Sequence, residues 1–167
     1  AGLRSTTAAS LVAQWKGQKM TQALPFRSPD QQLKPEWIDY NGHLNMAYYS
    51  VLFDNGIDVF FEHLGLGPVY AEQRKLTTYT ADAHIRYLKE IHLGDTVYNT
   101  IQLVDYDAKR LHCFAQLHHA DGWLSATCET LTLHVDMTGP KVATFPDDIE
   151  KTLANVFSEH GKAGRPD

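Results

Sequence analysis

The sequence predicts an α+β domain in which an antiparallel sheet wraps around one long central helix. Residues 45–64 carry the only long apolar helix signal, with Tyr49, Leu52, Phe53, Ile57, Phe60 and Leu64 at i, i+3, i+4 spacing. Residues 76–136 then divide into four strand-like segments separated by turn signals. Strands joined by short turns pair antiparallel, and a sheet of that kind buries one face, so the helix is expected to fill its concave side.

In chain order, residues 1–23 differ in composition from the rest. They are rich in Ala, Ser, Thr and Gln, carry Arg4, Lys16 and Lys19, and precede the first acidic residue, Asp30. A transit-like peptide, a linker from an upstream domain and a leader placed ahead of a native start at Met20 are the three readings. Leu11, Val12 and Trp15 could make one short helix there. The folded domain is expected over residues 24–167. Between 24 and 37, Pro25, Pro29 and Pro35 confine any strand to a short or broken edge piece.

The helix is expected to begin at Asn45 as N-cap and to stop at Gly65, Gly67 and Pro68. Gly56 falls on its apolar stripe, where a glycine costs about 1 kcal/mol against Ala, acceptable if the helix must approach the sheet closely. Residues 68–75 read as a connector. Strands are expected at 76–91, 96–105, 110–119 and 123–136. On the second, Val97, Asn99, Ile101 and Leu103 share one face. Asp121 and Gly122 suit a type I′ hairpin turn. Residues 145–157 read as a closing helix, with Pro146, Asp147 and Asp148 in its first turn and Ile149, Leu153 and Val156 on one side.

At 167 residues and 43% hydrophobic, the chain can bury a core of its own. A net charge of −5 without a basic patch argues against nucleic acid as a partner. Two cysteines, Cys113 and Cys128, with no CxxC pair, fit a reduced, cytoplasmic setting. No apolar run reaches membrane-spanning length. Nine histidines are scattered without metal-ligand spacing, so no metal is expected.

Chemistry gathers just before the helix. Asp39, Asn41 and His43 place a carboxylate, an amide and an imidazole in five residues, and alternate positions of an extended or looped segment point the same way. Gly42 loosens the backbone between them. The helix N-terminus beside them offers unpaired N–H groups and a positive dipole end to an anion or oxyanion. As an ordinary carboxylate Asp39 would act by direct attack or as one member of a network; Asn41 and His43 suit orienting water, with His43 a proton shuttle. Asp and Asn are also the commonest turn residues beside Gly, and His43 could be a structural histidine.

The order of broken strand, DxNGHxN loop, long helix and four antiparallel strands resembles the hotdog-fold thioesterases, as does DAHIRYLKEIHLGDTV at residues 82–97. Asp39 stands three residues before Gly42, as the catalytic Asp does in the 4-hydroxybenzoyl-CoA thioesterase-like group. The alternation of Asp39, Asn41 and His43 also matches the plant acyl-carrier thioesterases. WIDYNGHLNMAYY, KRLHCFAQLHHADG and TLTLHVDMTGP are most similar to the betainyl-CoA thioesterases of carnitine breakdown.

The resemblance implies an acyl-CoA thioester substrate, no cofactor, and a homodimer or dimer of dimers with sites at the subunit boundary. It also implies that the backbone N–H of Met46 polarises the thioester carbonyl. In some hotdog enzymes the catalytic acid lies on the long helix, which keeps Asp54 and Asp58 in reserve; with Glu62 they otherwise form a solvated face. Lys89, Lys109 and Arg110 are candidates for the CoA phosphates or plain surface charge. Trp37, Tyr40, Tyr48, Tyr49 and Phe53 crowd the loop and first helical turns. They are core packing or, for two or three of them, a cage for a quaternary ammonium. An enoyl-CoA hydratase and a non-catalytic acyl-CoA-binding module are the alternatives. The hydratase motif sets its His five residues after the Asp, with a Pro between, whereas His43 is four residues after Asp39.

Overall fold

The computed structural model describes residues 25–166. The leader readings for 1–23, and the short helix around Leu11, Val12 and Trp15, fall outside the described residues.

The broken edge forms as expected. Strands β1 (Phe26–Arg27) and β2 (Gln31–Gln32) both pair with the edge of a longer strand, and a 3-10 turn at Pro35–Trp37 follows. Helix α1 spans Met46–His63, and its N-cap Asn45 accepts the N–H of Ala47 on its side chain. The predicted stripe is buried: Tyr49, Leu52, Phe53, Gly56, Ile57, Phe60 and Phe61 face inward.

The expected connector at 68–75 is a helix instead. Helix α2 (Pro68–Arg74) starts at Pro68, whose fixed φ suits a first helical position, and stops where Lys75 turns left-handed at φ 56°. It buries Tyr70, an anchor that single-residue turn signals do not reveal.

Strands β3 (Leu76–Tyr87), β4 (Thr96–Tyr106), β5 (Arg110–His119) and β6 (Leu124–Asp136) follow. A short β7 (Lys141–Val142) pairs with the end of β6, beyond the start of β5. The antiparallel order is β1–β4–β5–β6–β3. β3 is therefore an edge strand. It leaves the ladder at Tyr87, four residues sooner than expected, because Leu88 and Lys89 both donate to the carbonyl of Ser125. The type I′ turn does not form: Gly122 is at φ 89°, but Asp121 keeps a negative φ and the N–H of Gly122 closes on His119 O.

The core lies between α1 and the inner sheet face, where Val97, Ile101, Leu103, Leu111, Cys113, Ala115, Leu117, Ala126 and Cys128 are buried. The closing helix α3 (Asp147–Gly161) runs one turn beyond its expected end, with Ile149, Leu153, Val156 and His160 buried. His160 accepts the N–H of Leu103 on Nδ1 at 2.9 Å, so α3 seals the stretch of β4 that β1 does not reach.

Candidate active site

The loop before α1 is a tight hairpin. Ile38 bridges Leu44, the N–H of Asp39 donates to His43 O, and the N–H of Gly42 returns to Asp39 O, with Gly42 at φ 85°. This register sets Asp39 opposite His43 on one face of the hairpin, where directly opposed side chains neighbour each other. Asn41 sits at the exposed tip, away from that pair. Cross-strand pairing thus sets the backbones of Asp39 and His43 opposite each other. The Asp39 carboxylate also accepts the N–H of Asn41 at 2.8 Å, an Asx-turn contact, so the turn role and any chemical role share one side chain.

Two further hydrogen bonds hold this hairpin: Asn45 N–H to Trp37 O closes its base, and Leu44 N–H to Ile91 O fastens it to the rest of the protein, each 2.9 Å. The second sets the segment after β3 against the loop. There the buried Ser125 donates its hydroxyl to Lys89 O at 2.7 Å while its carbonyl takes two N–H groups, which fixes Glu90 beside His43. The Glu90 carboxylate lies 3.7 Å from His43 Nε2 and 3.7 Å from His92 Nε2. The other ring nitrogen of His43 is 3.3 Å from Leu44 O. Met46 is the first residue of α1, and its N–H has no acceptor within the helix.

The rings divide into two pairs. Trp37 stacks on Tyr48 with centroids 5.4 Å apart, and Tyr49 meets Tyr87 edge to face at 5.1 Å. Trp37, Tyr49 and Phe53 are core residues, as most of the five rings were expected to be, and Tyr40 is 97% exposed at the hairpin tip. Tyr87 was not foreseen; it stands at the edge of β3, its hydroxyl 3.5 Å from Met46 O. Burial, opposed by hydrogen bonding with Ser125 and Ile91 and aided by the Glu90 charge, raises the Tyr49 phenol above its ordinary value.

Lys89 lies at this end of the sheet with its ammonium 4.0 Å over the Trp123 ring. Lys109 and Arg110 lie at the other end: Arg110 starts β5, eight residues and roughly 26 Å along the strand from His118, which faces the start of β6. Arg110 there donates to Asp107 at 2.7 Å. One chain therefore does not bring the three cations together. Asp54 and Asp58 are on the exposed flank of α1, about 12 and 18 Å along the axis from Met46. Loss of solvent, then repulsion from Asp54, raises the Asp58 carboxyl. Burial pushes the thiols of Cys113 and Cys128 up to about 12 and about 11, so neither supplies a thiolate.

A groove of about 490 Å3 lies on the outer face of the sheet, lined by Asp82, His84, Tyr106, His112 and Glu129 among others, and none of the hairpin residues reaches it. Edge strand β3 is twelve residues long, and its residues from Tyr79 to His84 are exposed.

The model of the thioesterase-like superfamily matches residues 33–153. An L-carnitine dehydrogenase/betainyl-CoA thioesterase of Rhizobium meliloti is 35% identical over 86% of this chain. The chain spans 29% of that relative's length. A betainyl-CoA thioesterase of Pseudomonas aeruginosa is also 35% identical, over 75% of this chain and 80% of its own length. Among solved structures, a Staphylococcus aureus protein in complex with CoA superposes with a TM-score of 0.77 at 28% identity, covering 90% of this chain and 91% of that one. No described helix is long and apolar enough to cross a membrane.

Proposed function

Because the chain belongs to the thioesterase-like superfamily and has its hotdog fold, we propose that it hydrolyses a small acyl-CoA thioester, with betainyl-CoA as substrate and glycine betaine and CoA as products. The observation that carries this reading is the placement of Asp39 opposite His43 beside the first turn of α1. The N–H of Met46 and the positive end of the helix would draw the thioester oxygen and stabilise the charge it gains. Asp39 takes a proton from a water that attacks the carbonyl carbon, or attacks that carbon itself. The carbon–sulfur bond then breaks, and the departing thiolate collects a proton by way of His43; on the direct route the acyl-aspartyl anhydride left behind is cleaved by water, which frees the carboxylic acid and restores Asp39. Asn41, at the exposed tip, acts on this pair only if a substrate or a second subunit closes over the hairpin.

The betainyl assignment draws on the two curated relatives, both named for that activity. We place the working unit at no less than a homodimer. A twelve-residue edge strand with exposed side chains is a template for pairing, and the resemblance to hotdog thioesterases implies a site shared across such a boundary. The reduced cysteines suit the cytoplasm. Incubation with a panel of acyl-CoA esters, following free thiol, separates the possibilities: hydrolysis releases thiol, while hydration or simple binding does not.

A further inference from the structure

The charges around His43 bear on which acyl group the site takes. Asp39 faces it across the hairpin and Glu90 approaches from the segment after β3. Among the described residues neither carboxylate is paired with a lysine or arginine; Glu90 meets only the rings of His43 and His92. The two nearby lysines are committed elsewhere, Lys89 to the Trp123 ring at 4.0 Å and Lys34 to the Trp37 ring at 5.1 Å. The Glu90 carboxylate is 59% exposed, so it is reachable by a ligand. Tyr87, half-exposed, stands with Tyr49 at the same end of α1 and presents an aromatic surface there. A region with two carboxylates, neither paired with a lysine or arginine among the described residues, and an exposed ring repels an anionic acyl group and attracts a cationic one.

We propose that Glu90 is a specificity-determining residue, supplying the counter-charge for a cationic acyl group that rests against Tyr87. The inference rests on the thioesterase reading above and adds to it the residue that distinguishes charge from shape. Glu90 lies 47 residues beyond His43 in the chain, and it comes to the site only through the Leu44–Ile91 and Ser125 hydrogen bonds.

The test compares betainyl-CoA with tert-butylacetyl-CoA, which keeps the shape and removes the charge, in the full chain and in Glu90→Gln and Glu90→Asp. The readout is the ratio of the two kcat/KM values. For a partly solvated charge pair, Glu90→Gln should lower the ratio about tenfold, and Glu90→Asp should retain most of it. At about 1 M salt, where charges are screened beyond about 3 Å, the unsubstituted protein should lose its preference while Glu90→Gln changes little further. An unchanged ratio in Glu90→Gln, including one in which both rates fall together because Glu90 serves only to hold His43, overturns the proposal and leaves the thioesterase reading intact. If the unsubstituted protein releases thiol from neither ester, the thioesterase reading itself fails.

Discussion

The side-chain amide of Asn99 lies directly against the Cα of Gly56. Asn99 is fully buried and donates Nδ2 to Leu52 O at 2.8 Å, one turn before Gly56 on α1. A Cβ on Gly56 would overlap that amide. The central helix and the sheet approach closely here, and a polar side chain fills the gap.

Gly56→Ala should therefore destabilise the protein although alanine is the better helix former. Overpacking costs about 1–3 kcal/mol against a propensity gain of about 1 kcal/mol. A urea titration should show a lower midpoint with an unchanged slope. A midpoint equal to or above that of the parent would mean Asn99 moves aside freely.

Stability should fall as the pH is lowered below neutrality. Burial, with a smaller effect from His63, pushes His160 down to about 4. Its Nδ1 accepts the N–H of Leu103, which an imidazolium cannot do. The unfolded chain titrates this group near 6.5, so it binds more protons than the folded chain between those values. The contribution is present above 6.5 and is lost as pH drops toward 4, on the order of 1–2 kcal/mol between pH 7 and 5. Burial lowers His63, His118 and His134 as well, and these add with the same sign. Denaturation at several pH values should give a positive slope that His160→Gln makes shallower. An equal slope in both proteins would contradict this.

The protein should sediment as a dimer or larger. Ala83→Arg, at an exposed position of edge strand β3, should shift it toward monomer and lower turnover in parallel. A fully active monomer at assay concentration would remove the shared site.

Local pattern made most of the fold legible. The apolar spacing of α1, its Asn45 cap, the proline-broken edge and the four strands are all properties of short windows, and each formed. Gly56 signalled a close approach, but nothing in sequence spacing names Asn99 as its neighbour. The site divides in the same way. Asp39 and His43 are four residues apart and readable. Glu90 comes within 3.7 Å of His43, and Tyr87 meets Tyr49 and Met46 O, across long stretches of chain that leave no local signal. Tyr49 and Phe53 are buried as core rings, the packing role that their helical spacing and apolar neighbours make legible. The connector at 68–75 hid α2 because Pro68 reads with Gly65 and Gly67 as a stop signal, whereas α1 has already ended at His63 and Pro68 begins the next helix.

The most direct measurement is thiol release from betainyl-CoA by the parent and by Asp39→Asn. This substitution keeps an oxygen that can accept the Asn41 N–H, so the hairpin should be preserved while the charge is removed. Turnover should fall about a hundredfold or more with the unfolding midpoint nearly unchanged. Near-parental turnover in Asp39→Asn would contradict the account, and Asp54 and Asp58 of α1 would become the acids to examine.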